Sequence, residues 1–193
     1  MTNDQIQKST LLTVGLALCV LAGCSSNSPT ESILETPSFP EAYYLETGMD
    51  TYQRGLFTRS RDYWQQLING YPSSAYVPLA ELKIADSFFF SEQYAEAIEA
   101  YKNFLAANPA NEGRDYAELQ LANSHYYLYK GPGLDPAPLK SAIKLYDEFL
   151  GSHPDGVYTP VAIKKRSTAR TLLAKHEKSV AAFYKKQGMK SAR

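Results

Sequence analysis

The chain has 193 residues, enough for one domain with a substantial core. Its 20 basic and 20 acidic residues cancel, which argues against a nucleic-acid partner recruited by overall charge. Tyrosine is common, at 15 residues, and favours broad amphipathic surfaces over a purely aliphatic core.

The first segment reads as an address label. Residues 11–22 form an apolar run preceded by Lys8, about as long as a signal-peptide core and too short to span a bilayer as a helix. Leu21-Ala22-Gly23-Cys24 follows and resembles the bacterial lipobox, in which the cysteine thiol is acylated and becomes the new N-terminus. Residues 1–23 are therefore expected to be a removed signal peptide and Cys24 the lipidation site. Cys19 would leave with the signal, so a disulfide framework is excluded for the mature monomer. Several acyl chains hold a protein to a membrane stably where one does so only marginally. Ser25, not aspartate, follows the cysteine. By resemblance to enterobacterial sorting this implies the outer membrane of a Gram-negative cell, with the protein on its periplasmic face.

Residues 24–40 are rich in Ser, Thr and Pro without an apolar period, as expected of a flexible tether. From residue 41 the pattern becomes helical and repeats. The clearest unit predicts helices over 80–90 and 94–107, joined by Ser91-Glu92-Gln93 and stopped by Pro109. If Pro109 is numbered 32, Ala85 falls at 8, Phe88 at 11, Ala97 at 20, Tyr101 at 24 and Phe104 at 27. That spacing resembles the tetratricopeptide repeat, a helix–turn–helix unit, although Glu81 stands where a large residue is usual. Upstream, Tyr44, Gly48, Ser60, Trp64 and Leu67 take the corresponding places before Pro72, with helices expected over 41–54 and 58–69 and a break at Gly55. Downstream, AELQLANSHYY (117–127) repeats AELKIADSFFF (80–90) at an offset of 37, with five of eleven positions identical. Its partner helix is expected over 139–152, after a Gly/Pro loop at 130–137. The repeats are thus 41–72, 78–109 and 115–154, and nothing breaks a last long helix over 160–187 until Gly188. The expected fold is all-α, a superhelical solenoid of about three repeats with a long C-terminal helix, occupying 41–193.

The zero net charge hides a polarity. Residues 160–193 carry ten Lys or Arg against Glu177 alone, a net of +9, whereas residues 24–159 carry a net of −9. Lys164, Lys165, Arg166, Arg170, Lys178, Lys185 and Lys186 could form a basic surface for anionic head groups or an acidic protein, or a solvated face without a partner.

Catalytic patterns are lacking: no HExxH, CxxC, P-loop or GxSxG is present, and His125 occupies the core position of Phe88. The chain reads as a binding protein and not an enzyme, with no cofactor beyond the covalent lipid at Cys24. In repeat solenoids of this kind the first helix of each pair lines the concave face. The positions that would face it include Tyr52, then Asp86, Phe89 and Phe90, then Asn123, Tyr126 and Tyr127. Five aromatic side chains converging on one surface suit an extended peptide.

The long-helix stretch LLAKHEKSVAAFYKKQG, with Leu173, Ala174, Glu177, Val180, Ala181, Tyr184 and Gly188, resembles the BamD (YfiO/ComL) family of outer-membrane β-barrel assembly lipoproteins. Asn108-Pro109 followed by Asp115-Tyr116, and Tyr71-Pro72 followed by Tyr76, fit the same family. Arg166, Gln187 and Lys190 depart from it, and the family pattern continues past Arg193, so the chain reads as a shortened member. The resemblance implies recognition of unfolded outer-membrane protein segments through the N-terminal repeats. It also implies contact with BamA and with the assembly lipoproteins BamC and BamE through the C-terminal part. An envelope scaffold that touches peptidoglycan or another lipoprotein is the alternative.

Overall fold

The computed structural model describes residues 39–188. The 1–23 signal peptide, Cys24, the tether before Phe39 and residues 189–193 lie outside the described residues. Seven helices follow one another, with no strand among the described residues: α1 (Glu41–Gln53), α2 (Phe57–Gly70), α3 (Val77–Phe90), α4 (Tyr94–Ala107), α5 (Arg114–Leu128), α6 (Ala137–Ser152) and α7 (Thr159–Lys186). Each packs against the next in sequence, and α7 also touches α5, which makes a stack of antiparallel pairs.

The repeat register explains the packing. The three large residues at position 24, Trp64, Tyr101 and Tyr146, are fully buried. They face small residues at position 8: Gly48, Ala85 and Ala122. Position 27 adds Leu67, Phe104 and Phe149 beneath them. Every core cluster also includes the first-turn alanine of the following repeat: Ala80, Ala117 and Ala162, each with no exposed surface. A helix pair therefore cannot bury its own apolar stripe alone, and the next repeat completes it.

Two first helices begin three residues before their expected starts, and α6 begins two before its own. Helix α3 starts at Val77 and not at 80, because Pro78 fits a first turn where no N–H is needed. The amide of Ala80 then donates to the Tyr76 carbonyl at 2.9 Å, as Ala117 does to Gly113 and Ala162 to Tyr158, each at 3.0 Å. Helix α5 likewise starts at Arg114, ahead of the 117–127 stretch. Helix α6 starts at Ala137 and not at 139, with Pro138 in its first turn and the Asp135 carboxylate accepting the Ala137 amide at 2.9 Å.

The α1–α2 and α3–α4 turns share one geometry. Gly55 has φ +73°, and the Leu56 amide reaches back to the Thr51 carbonyl at 2.9 Å. Thirty-seven residues on, Glu92 takes the same left-handed backbone at φ +60°, and Gln93 donates to Phe88 at 2.9 Å. A Cβ is strained there. Glu92→Gly should therefore raise stability by about 0.5–1 kcal/mol, read as a higher urea midpoint with unchanged slope.

Glu81, the departure from the repeat pattern, has a structural role. Its carboxylate accepts the Asn108 side-chain amide at 2.7 Å, tying the start of α3 to the end of α4. One repeat on, the carboxylate of Glu118 meets His153 Nε2 at 2.9 Å in the same way. In the first repeat the corresponding pair is Tyr44 and Tyr71, with ring centroids 6.4 Å apart. Asn108, His153 and Tyr71 cap their helices with nearly the same backbone, φ −125°, −129° and −134°. A polar pair and a ring pair thus solve one geometric problem.

His125 is half-buried where the second repeat has Phe88. Burial, and next the Lys102 ammonium, hold its pKa below the ordinary imidazole value, against a smaller opposing pull from Glu99. A histidine whose pKa falls on folding binds fewer protons when folded, so stability drops as pH falls through the unfolded value near 6.5. His125→Phe should flatten the stability profile between about pH 7 and 5, as thermal melts across that range would show.

Candidate functional site

The aromatic residues expected to converge do so, at the turn between the first and second helix of each pair. Tyr52 of α1 meets Phe90 of α3 edge-on, with centroids 6.3 Å apart. Phe90 packs against Phe89 at 5.3 Å, Phe89 against Tyr127 of α5 at 5.8 Å, and Tyr127 against Tyr126 at 5.1 Å. Two further rings, outside the positions expected to face the groove, complete the row. Phe57 stacks on Phe90 at 5.8 Å, and Tyr94 stacks on Tyr127 at 5.5 Å. Both open the second helix of their repeat and lie 37 residues apart, a recurrence that the helix spacing alone could have exposed. The result is a continuous ladder of seven rings across two repeat boundaries. Phe90 and Tyr127 remain 47% and 38% exposed, so the ladder offers apolar faces to solvent.

Two of the predicted groove residues do not face a ligand. Asp86 is fully buried, and its carboxylate is saturated. Oδ1 accepts the hydroxyls of Tyr101 at 2.7 Å and Tyr116 at 3.0 Å; Oδ2 accepts Lys83 Nζ at 3.0 Å and the Tyr52 hydroxyl at 3.3 Å. Asn123, its counterpart one repeat on, is also buried; it accepts the Tyr146 hydroxyl at 2.6 Å and donates to Gln120 at 2.6 Å. Gln120 in turn donates to the Tyr116 hydroxyl at 3.0 Å. A buried carboxylate or amide is costly unless it is hydrogen-bonded, and the phenols that turn inward to Asp86 and Asn123 supply those bonds. One hydrogen-bonded chain therefore runs from Tyr52 of α1 through α3, α4 and α5 to Tyr146 of α6, and Tyr52 belongs to both this chain and the ladder. Burial and then the Asp86 charge push the Tyr52, Tyr101 and Tyr116 hydroxyls far above the ordinary phenol pKa, so they stay donors.

The predicted basic surface also divides. Arg166 and Arg170 both bind Asp147 of α6, at 2.8 and 3.0 Å, and so fasten α7 to its neighbour. Burial alone would raise the Asp147 pKa, but the two guanidinium groups outweigh it and keep the carboxyl below its usual value. Lys178, Lys185 and Lys186 are exposed further along α7. Lys165 instead joins the ladder: its ammonium lies 4.8 and 4.4 Å from the ring centroids of Tyr126 and Tyr127 and donates to the Tyr127 hydroxyl at 2.6 Å. Lys164 is exposed beside it, and both lysines line a cleft between α5 and α7 with Tyr126. Among the described residues, no cluster of three His, Cys, Asp or Glu side chains is disposed to hold a metal ion.

Residues 38–192 match the family described as YfiO, outer membrane lipoprotein. The chain belongs to this family. Among curated relatives of the family, it is 26% identical over 179 residues to the outer membrane protein assembly factor BamD of Rickettsia prowazekii (strain Madrid E), covering 93% of this chain and 68% of that one. Against BamD of Caulobacter vibrioides (strain ATCC 19089 / CIP 103742 / CB 15) it is 24% identical, with 90% and 56% covered. The chain thus spans between about half and about two thirds of those relatives' lengths. Among solved structures, the first TPR of Spaghetti (RPAP3) bound to HSP90 peptide SRMEEVD superposes with a TM-score of 0.52 at 18% identity, over 69% of this chain and 93% of that one. That likeness establishes the tetratricopeptide-type fold.

Proposed function

We propose that this protein is a non-catalytic member of the outer-membrane protein assembly machinery that binds extended segments of unfolded outer-membrane proteins along its aromatic ladder. Membership of the YfiO family and similarity to proteins named as outer membrane protein assembly factors support the process. The single observation that carries the binding mode is the ladder itself, seven rings in contact with Phe90 and Tyr127 about half open to solvent. Rigid rings supply contact area with little rotamer entropy to lose, and the hydrogen bond from Tyr52 to the buried Asp86 fixes that ring of the row. The partners in this reading are BamA, other assembly lipoproteins and unfolded outer-membrane protein segments. Cys24 carries the lipid that holds the chain to the periplasmic face of the outer membrane.

Affinity purification of the tagged full chain from membranes solubilised in mild detergent, followed by mass spectrometry, tests this role. BamA together with unfolded outer-membrane proteins is the expected recovery. Recovery of peptidoglycan and other envelope lipoproteins without BamA would replace it with the scaffold reading.

A further inference from the structure

The lysine at the sixth position of the repeat recurs with a difference. In the second repeat Lys83 lies 4.5 Å from the centroid of the Tyr52 ring, which belongs to the preceding repeat. Its ammonium is neutralised by Asp86, three residues on, at 3.0 Å. At the corresponding place in α7, Lys165 lies over Tyr126 and Tyr127 of the preceding repeat. The residue three positions on is Thr168, whose hydroxyl bonds the Lys164 carbonyl at 3.0 Å. Thus the ring survives and the carboxylate is gone. Among the described residues no Asp or Glu lies within ion-pair distance of Lys165 or Lys164, whereas Arg166 and Arg170 on the same helix share Asp147. Where the earlier interface is filled by Asp86 and its phenols, this one is an open cleft of about 510 Å³ lined by Tyr126, Pro160, Val161, Lys164, Lys165 and Thr168.

Resting on the peptide-binding reading, we propose that this cleft is a carboxylate subsite: a carboxylate of the bound peptide pairs with Lys165 and Lys164 while an adjoining apolar side chain packs on Tyr126. An ammonium beside two aromatic rings, with only a neutral hydroxyl as acceptor, is a favourable place for an anion. The apolar lining from Tyr126, Pro160 and Val161 favours a peptide over a fully hydrated ion. The subsite closes one end of the ladder, so it sets the direction in which the peptide lies. The carboxylate can come from the chain terminus or from an acidic side chain.

The test uses three labelled peptides of one aromatic-rich sequence: free C-terminus, C-terminal amide, and amide with a glutamate placed next to the last apolar residue. Each is titrated against the wild-type chain and against Lys165→Gln and Lys164→Gln. The free acid should bind about tenfold more tightly than the amide, as expected for one lost charge-assisted contact. That advantage should vanish in Lys165→Gln and shrink in Lys164→Gln, an exposed site where folding is not at stake. Recovery of affinity by the internal glutamate would support the subsite with a side-chain source. Lack of recovery, with the free acid still preferred, would support it with a terminal source. Equal binding of acid and amide would overturn the subsite and leave the ladder reading intact. Failure of all three peptides to bind would overturn both. Competition by phosphatidylglycerol vesicles through Lys165, with no acid–amide difference, would assign the cleft to lipid and overturn the peptide carboxylate.

Discussion

Asp86→Ala is expected to lower stability by about 3–5 kcal/mol, because the hydroxyl of the fully buried Tyr101 and those of the partly buried Tyr52 and Tyr116 all lose their acceptor together. At this chain length that is a fall in melting temperature of roughly 10–15 °C. Lys83 contributes less, since its side chain keeps 21% of its surface exposed and can rehydrate. Asp86→Asn should fall between the two. Its one amide oxygen can still accept from Tyr101 and Tyr116, but its NH₂ group then points at Lys83, which has no acceptor to offer. Differential scanning calorimetry on the three chains would check the order. If Asp86→Ala melted within about 2 °C of the parent, the carboxylate would not be the anchor of the hydrogen-bonded chain.

The second large effect concerns Gly48. Helix propensity alone says that replacing a mid-helix glycine stabilises, by about 1 kcal/mol for alanine. Packing says the opposite, and packing is larger. A Cβ at residue 48 would stand 2.9 Å from Trp64 Cε2 and 3.0 Å from Cδ2, and the Trp64 ring is fully buried among Tyr44, Leu67 and Ala80. The ring has no free direction in which to move. Gly48→Val should therefore cost about 3 kcal/mol through overpacking, while Gly48→Ala should cost less because the propensity gain offsets part of the clash. Gly48→Val paired with Trp64→Leu should recover part of the loss, since the clash is with that ring. Urea titrations of the single and paired variants would measure this coupling.

How much of this was legible beforehand depends on which force decided each residue. The register was legible because side-chain size alternates under one geometric demand: Gly48, Ala85 and Ala122 sit small where Trp64, Tyr101 and Tyr146 sit large. Helix ends were legible to within a few residues; the early starts at Val77 and Ala137 come with a first-turn proline, and the early start at Arg114 follows the Ala117–Gly113 backbone bond that recurs at each repeat boundary. Convergence of Tyr52, Phe89, Phe90, Tyr126 and Tyr127 followed from the same register. The fate of Asp86 and Asn123 did not, because a position can face a groove in a generic repeat and still be sealed when neighbouring phenols reach it. Tyr101 and Tyr116 lie 15 and 30 residues from Asp86, distances at which sequence carries no pairing signal. The place of Lys165 among the rings is hidden from charge counting for a related reason: its contact with Tyr126 and Tyr127 spans two helices.

The central claim is that the aromatic ladder is the surface on which an extended peptide lies. Its most direct test is a fluorescence anisotropy titration of a labelled peptide ending in phenylalanine against the parent chain and against Phe89→Ala combined with Tyr126→Ala. Loss of two anchoring rings should weaken binding by about tenfold or more, with the variant still folded as judged by its helical circular dichroism. Unchanged affinity in a folded double variant would contradict the claim.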